Sequence, residues 1–269
     1  MRVDTTGKVS LDHIYTEPDP RAYFSTLREL GYIIPELAKP HFRRFIDEYR
    51  RARGIASPTV LDIGCSYGVN AALLKYGLTM RELYDRYGGD DVRHLTRDSL
   101  LARDRELTRS VEPADDVRIL GLDASEPALS YALEAGFLDG AVHADLENEE
   151  PTEQQRARLA GIDLVISTGC LGYVTERTLS RVVAAQEGRR PWMAHFVLRM
   201  FPFEPIAEVL AEAGYETVRH DGLFRQRRFA TPEERASVLD RLVSAGVDPA
   251  GVETDGWFYA QLHISKPCD

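Results

Sequence analysis

Residues 59–74, Thr-Val-Leu-Asp-Ile-Gly-Cys-Ser-Tyr-Gly-Val-Asn-Ala-Ala-Leu-Leu, constrain the fold more than any other stretch. Val60 to Ile63 has the length and apolar content of a buried strand, and Gly64 ends it. From Asn70 on, Ala71, Leu74 and their neighbours have helical spacing. Gly64 and Gly68 can take backbone angles closed to other residues, which lets a ligand approach the main chain between strand and helix. The helix N-terminus adds unpaired N–H groups and a partial positive charge, so the turn suits a carboxylate or a phosphate. The spacing is G-x-x-x-G with Ser66 in the middle. It is not the dinucleotide fingerprint, and no Lys-Ser/Thr pair follows to hold a nucleoside triphosphate.

The rest of the chain supplies partners for that strand. After it come strands over Val117–Asp123, Gly140–Ala144, Ile162–Ser167, Met193–Met200, Glu216–Arg219 and Trp257–Ile264. Helices separate them over Glu126–Ala135, 147–160, Thr175–Gln186, Phe203–Ala213 and Pro232–Ala245. Strands alternating with helices form a mostly parallel sheet covered on both faces, and ligands of such sheets sit at the carboxyl ends of the strands. Two regions depart from the alternation. Residues 1–54 form an N-terminal unit: a polar, irregular arm to residue 18, then helices over Ala22–Leu30, from Pro35 and over Pro40–Arg53. Residues 76–116 lie where a βαβ unit of about 30 residues needs no such length. They are helix-forming and charged, with Leu83, Tyr84, Tyr87, Leu100 and Leu101 as apolar positions and Gly88-Gly89 as a break. They read as a helical insertion in a second unit, 55–269. With the N-terminal helices, they are expected to close over a ligand chamber. A helical decoration packed on its own leucines is the plainer reading.

Composition narrows the function. The chain has 269 residues and a net charge of −10, against a nucleic-acid partner, which needs clustered Lys and Arg. Lys39, His41, Arg43, Arg44, Arg50, Arg51 and Arg53 run against the average, as a solvated helix face or an anion-binding rim. The three cysteines, Cys65, Cys170 and Cys268, are too few and too spread for a disulfide framework or a zinc site. No signal peptide or membrane-spanning run is visible. The expectation is a cytoplasmic protein with no metal and no membrane partner; its oligomeric state is not legible.

Val60-Leu61-Asp62-Ile63-Gly64-Cys65-Ser66-Tyr67-Gly68 resembles the first motif of class I S-adenosylmethionine-dependent methyltransferases, (V/I)LD(I/V)GCGxG. Ser66 replaces the middle glycine and Tyr67 a small residue. Gly121-Leu122-Asp123-Ala124-Ser125-Glu126-Pro127-Ala128-Leu129 is similar to the second motif, G(V/I)DxSxxAL. The resemblance covers roughly residues 55–269. It implies a Rossmann-like α/β fold with a mostly parallel seven-stranded sheet, an antiparallel final strand, a helical N-terminal extension and a helical insertion after the first strand–helix unit. It also implies S-adenosyl-L-methionine as cofactor and a small-molecule acceptor, with natural-product metabolism as one setting.

The resemblance assigns Asp62, Gly64, Cys65, Ser66, Tyr67 and Gly68 to the cofactor's methionine side. It assigns Asp123, with Ala124 beside it, to the ribose hydroxyls; the alternative is a cap for the helix at Glu126. Asp145 and Leu146 fall where the family meets adenine, or Asp145 is an exposed loop acid. Ser167, Thr168 and Gly169 follow the fourth strand, where methionine and acceptor meet. The amine-methylating Asn/Asp-Pro-Pro-Tyr/Phe motif is absent, and so is the acid of catechol-type enzymes. Cys170 lacks the Pro-Cys pair of cytosine-methylating enzymes and reads as a small buried residue. Methyl transfer needs alignment first, and a base only where the acceptor must lose a proton. Tyr173, His143 and His195 are the candidates, with His195 alternatively a core histidine. Because Ser66 and Tyr67 alter the turn, attack at another carbon beside the sulfonium, by a cyclase or lyase, stands as an alternative. A non-catalytic S-adenosylmethionine-binding module is the other.

Overall fold

The structure, a computed structural model, describes Asp4 and residues 6–268. Strands β1 (Thr59–Ile63), β2 (Arg118–Asp123), β3 (Gly140–His143), β4 (Leu164–Thr168), β5 (Trp192–Leu198), β6 (Tyr215–Arg228) and β7 (Trp257–Pro267) form one sheet in the order β3-β2-β1-β4-β5-β7-β6. β7 alone runs antiparallel to its neighbours, between β5 and β6. β1 has β2 on one side and β4 on the other, both parallel. The chain runs outward from β1 through β2 to β3 and then crosses back to β4 on the other side of β1, so a crevice opens at the carboxyl ends of β1 and β4. The central strands are buried on both faces, which is why Val60 to Ile63 and Leu164 to Ile166 read as continuous apolar runs rather than alternating ones.

The helices are α1 (Asp12–Tyr15), α2 (Arg21–Glu29), α3 (Ile34–Arg53), α4 (Val69–Lys75), α5 (Met80–Gly88), α6 (Arg97–Ser110), α7 (Glu126–Glu134), α8 (Glu153–Leu159), α9 (Glu176–Ala184), α10 (Glu204–Glu212) and α11 (Pro232–Ser244). Side-chain caps fix several starts: Thr79 with Glu82 and Thr152 with Gln155 form reciprocal capping boxes, and Ser125 caps α7 ahead of Pro127. Among the described residues no helix is long and apolar enough to cross a membrane.

Four local expectations are corrected. The segment from Pro35 to Arg53 is one helix, not two. Pro40 removes a backbone donor, but Ile34, Ala38, Phe42, Phe45, Ile46 and Tyr49 bury one face that runs across it, and that packing outweighs the break of about 3 kcal/mol. β6 extends to Arg228, with register irregularities around Asp221-Gly222 and before Arg228, where a strand ending at Arg219 was expected. Its Asp-Gly pair forms a local kink, not a turn. α8 begins at Glu153, because Glu147 is engaged in the loop: its carboxylate accepts from Thr175 N, Thr175 Oγ1 and Thr178 Oγ1. Within the polar arm, Val9, Leu11 and Ile14 are core residues. Tyr67 and Ser125 hold it down: the Tyr67 hydroxyl lies 2.8 Å from Glu17 O and 3.2 Å from Ile14 O, and Ser125 Oγ donates to Tyr15 O. The rest of the arm, residues 1–3 and 5, lies outside the described residues.

Candidate active site

A cavity of about 540 Å³ occupies the crevice at the carboxyl ends of β1, β2 and β4, within the usual size range of ligand pockets. The turn after β1 forms its floor. Gly64 N donates to Leu122 O at 2.7 Å, and the residue sits at φ +67, where a Cβ would come within 2.6 Å of Cys170 Cβ. Only glycine allows β1 and the loop after β4 to meet here. Ser66, which stands in place of a motif glycine, keeps a left-handed conformation at φ 48. Its N–H donates to Asp123 Oδ2 at 2.8 Å, while Ser125 N donates to Oδ1 at 2.9 Å. Burial nevertheless pushes the Asp123 carboxyl above its usual value. The first and second motif-like stretches are therefore joined at one carboxylate.

Gly64, Cys65, Ser66, Asp123, Ala124, Asp145, Leu146, Thr168, Gly169 and Tyr173 all line the cavity. Asp145 accepts from Glu147 N, Asn148 N and Asn148 Nδ2, the last at 2.7 Å, and these bonds, Asn148's first, hold its carboxyl below the usual range. Gly169, at φ +76, leaves room for the Gln226 side chain, which a Cβ would strike.

Asp62, Tyr67, Gly68, His143, Ser167 and His195 stand outside the lining rather than in it. Asp62 is fully buried; burial raises its carboxyl to about 7 even though Asn70 Nδ2 donates to it at 2.9 Å. The same Asn70 amide reaches Thr168 Oγ1 at 3.2 Å and lines the cavity itself, so Asp62 orients the residue that bridges β1 and β4. Tyr67 points into the arm, and Gly68 packs on Ala132 and Phe137. Ser167 Oγ and His195 Nδ1 pair at 2.8 Å inside the sheet. Burial drops His195 to about 3, so it stays neutral, as a core histidine does. His143 is exposed on the far side of Ala124, with Nε2 3.0 Å from Ala124 O. The Tyr173 hydroxyl donates to Asp4 Oδ2 at 2.8 Å, and burial raises it further. Burial also raises the Cys170 thiol to about 12, which keeps it protonated. Among the described residues no group of three or more His, Cys, Asp or Glu is arranged to hold a metal ion.

The remaining lining comes from places the motifs did not mark. Lys8, Val9, Leu11, Asp12, Tyr15 and Thr16 of the arm, Tyr23 and Leu27 of α2, Tyr32 and β6's Gln226 and Arg227 close the cavity. Tyr15 meets Tyr23 edge-on at 5.5 Å, and Tyr23 meets Tyr67 at 5.6 Å. A concentration of aromatics at Tyr15, Tyr23, Phe24 and Tyr32 was the available signal for the arm. The Arg-Gln-Arg-Arg run in β6 gave none.

The strand order, the reversed β7 and a cavity at the β1/β4 switch point together decide the architecture. The fold is that of the class I methyltransferases. No protein-family model and no curated protein matches the chain. Among solved structures, it is similar to the plantazolicin methyltransferase BpumL in complex with a monoazolic desmethylPZN analog and SAH, at 12% identity over 96% of this chain and 93% of that one, with a TM-score of 0.49. It is also similar to magnesium protoporphyrin IX methyltransferase (ChlM) from Synechocystis PCC 6803 with bound SAM, at 12% identity over 85% and 79%, TM-score 0.39. A Haemonchus contortus phosphoethanolamine N-methyltransferase, solved with phosphomonomethylethanolamine and S-adenosylhomocysteine, is matched at 14% identity over 84% and 53%, TM-score 0.39. Likenesses this distant add nothing to what the strand order establishes.

Proposed function

We propose that this chain is an S-adenosylmethionine-dependent methyltransferase acting on a small-molecule acceptor. The observation that carries the reading is the Asp123 carboxylate, which faces the cavity while holding the glycine turn through Ser66 N and the α7 cap through Ser125 N. A carboxylate fixed in this way at the end of the second strand suits a ribose, whose two hydroxyls it can accept. Leu146 supplies an apolar wall for adenine beside Asp145. Gly64 and Gly169 bring main chain to the cavity wall, where the reading puts the methionine arm. When bound, S-adenosylmethionine supplies an activated methyl group on a sulfonium. The protein's part is to align an acceptor with it and exclude water, and the faces of Tyr15 and Tyr23 favour a positive charge next to them. His143 and His195 stand outside the cavity, and Tyr173 is already bonded to Asp4. The reading therefore assigns acceleration to alignment rather than to any of these as a base.

Calorimetry with S-adenosylhomocysteine tests this. A one-to-one complex is expected, and Asp123→Ala should weaken it by about 1–3 kcal/mol. Unchanged affinity in the variant sinks the ribose assignment; no binding by the wild type sinks the reading. Product analysis then separates methyl transfer, which releases adenosylhomocysteine, from cyclisation or lysis, which releases methylthioadenosine.

A further inference from the structure

Lys8 places a buried ammonium in the cavity wall. Among the described residues no carboxylate reaches its Nζ within salt-bridge distance. The ammonium lies over two ring faces, Tyr173 at 4.7 Å and Phe258 at 5.8 Å from the centroids. Two carboxylates lie close by, and both are already engaged. Asp4, on the arm itself, accepts from Thr6 N, Thr6 Oγ1, Lys8 N and Tyr173 OH. Glu234, on α11, accepts from both terminal nitrogens of Arg227 at 3.0 and 2.7 Å, from Val9 N at 2.7 Å and from Ala230 N at 2.6 Å. Glu234 thus has two bonds on each oxygen, its full acceptor capacity, and Asp4 takes three of its four on Oδ1. A buried ammonium without a partner is costly, and this one faces a ligand cavity.

The cavity lining carries both signs. Asp12, Asp123, Asp145 and Glu147 are its acids; Asp123 ends β2 and Asp145 follows β3, where the nucleoside is proposed to lie. Lys8 of the arm and Arg227 of β6 are its cations. Arg227 gives Nη1 to Glu234 and to Arg228 O and one Nη2–H to Glu234, which leaves its Nε–H and second Nη2–H unassigned among the described residues.

We propose that the acceptor is a small acid with an apolar body, and that Lys8 binds its carboxylate with Arg227 alongside. The proposal rests on the methyltransferase reading and names its substrate class. Burial, with Arg227's charge, holds the Lys8 ammonium down at about 8; Glu234 of α11, Asp4 of the arm and Cys170 after β4 oppose this only in part. Lys8 is thus charged below about pH 8 and loses its proton above it. Carboxylate binding fades as pH rises through that value, and binding at pH 8 draws a proton onto the protein.

The test uses the full chain saturated with S-adenosylhomocysteine, and benzoate, benzamide and benzylamine as acid, neutral and cationic probes in calorimetry. Benzoate is expected to bind, and more tightly than either of the others. Lys8→Gln should cost benzoate about 10- to 100-fold; Lys8→Arg, which keeps the charge, should retain most of the affinity. At pH 8, heats measured in buffers of different ionisation enthalpy should reveal proton uptake. A second arm compares S-adenosylhomocysteine, which carries a carboxylate, with methylthioadenosine, which does not. Equal weakening of neither or both by Lys8→Gln fits the proposal. Selective loss of S-adenosylhomocysteine gives Lys8 to the cofactor and overturns it. Failure of benzoate to bind, preference for benzylamine, or unchanged benzoate affinity in Lys8→Gln also overturns it. Failure of the wild type to bind S-adenosylhomocysteine is a different outcome, which removes the methyltransferase reading underneath.

Discussion

The N-terminal arm and the 76–116 insertion both lie outside the sheet, yet they relate to the cavity in opposite ways. The arm is short and polar, and Lys8, Val9, Leu11, Asp12, Tyr15 and Thr16 from it line the cavity. The insertion is long and rich in leucine and tyrosine, and contributes none of the lining residues. Its apolar positions face α2 instead. Tyr87 stacks on Phe24 at 4.7 Å, Tyr84 donates its hydroxyl to Tyr32 O, and buried Asp104 collects Arg86, Tyr87 and Tyr131. Chain direction explains the difference. β1 delivers the chain to the carboxyl edge of the sheet, and α4 carries it back for its seven residues, about 10 Å. The insertion therefore starts away from the crevice, whereas the arm crosses it. Sequence proximity to a glycine turn does not make a segment part of its site. The insertion acts one layer out, by buttressing the helix whose Tyr23 and Leu27 line the cavity.

Each region has a buried carboxylate at its hub, which allows the contrast to be broken. Glu234 ties Arg227 to Val9 of the arm, and Asp104 ties α6 to α5 and α7. Glu234→Gln leaves the buried Arg227 charge without its partner and should cost about 3–5 kcal/mol in urea unfolding. Asp104→Asn should cost stability of the same order. Only the first should also weaken S-adenosylhomocysteine and benzoate. If Asp104→Asn reduces ligand affinity as much, the insertion is coupled to the site and the contrast fails. The pH dependence has a definite sign. Burial alone would push the Glu234 carboxyl up, but Arg227 and the Ala230 and Val9 N–H groups hold it below its usual value. Its stabilisation is therefore full above the ordinary carboxylate range and is lost as pH falls through its lower folded value. Glu234→Gln should flatten that acid limb.

Hydrogen exchange reads the same contrast without a mutation. Saturation with S-adenosylhomocysteine should slow exchange across 8–16 and at 226–227 along with 64–66 and 123–125, by about tenfold or more if the arm opens locally in the free protein. Residues 76–116 should change little. Protection spreading into α5 and α6 would make the insertion part of the closing element after all.

Much of this was legible beforehand because it rests on local rules. The strand, glycine turn and helix at 59–74 follow from apolar runs and positive-φ positions, and Asp123 follows from its place at a strand end. The mostly parallel sheet followed from the alternation, and the reversed last strand from the resemblance. What escaped depended on pairings distant in sequence. Val9 is buried because Glu234 accepts its N–H from across the molecule. Lys8 and Arg227 drew no attention, since no local pattern places them against Phe258. His195 was a candidate base only because a strand pattern does not say which side chain turns into the sheet. Pro40 was read as a boundary because its local cost is visible in sequence, while the face that offsets it is tertiary.

The smallest expected effect separates the two regions most finely, because it removes one hydroxyl from each. Tyr67→Phe deletes the bond from the first-motif turn to the arm at Glu17 O and Ile14 O; Tyr84→Phe deletes the bond from α5 to Tyr32 O. Both rings stay packed, so each should lower global stability by only about 0.5–1.5 kcal/mol. Their local consequences should differ. Tyr67 ties that end of the arm together with Ser125 Oγ to Tyr15 O and Arg97 Nε to Pro18 O, so its loss should raise the opening of residues 11–17 and speed their exchange about fivefold, with a few-fold loss of S-adenosylhomocysteine affinity. Tyr84→Phe should leave 11–17 and the affinity unchanged, since Tyr32 remains held by the packing of α2 on α5. Faster exchange of the arm in Tyr84→Phe, or none in Tyr67→Phe, would mean that the arm is held by the insertion rather than by the glycine turn.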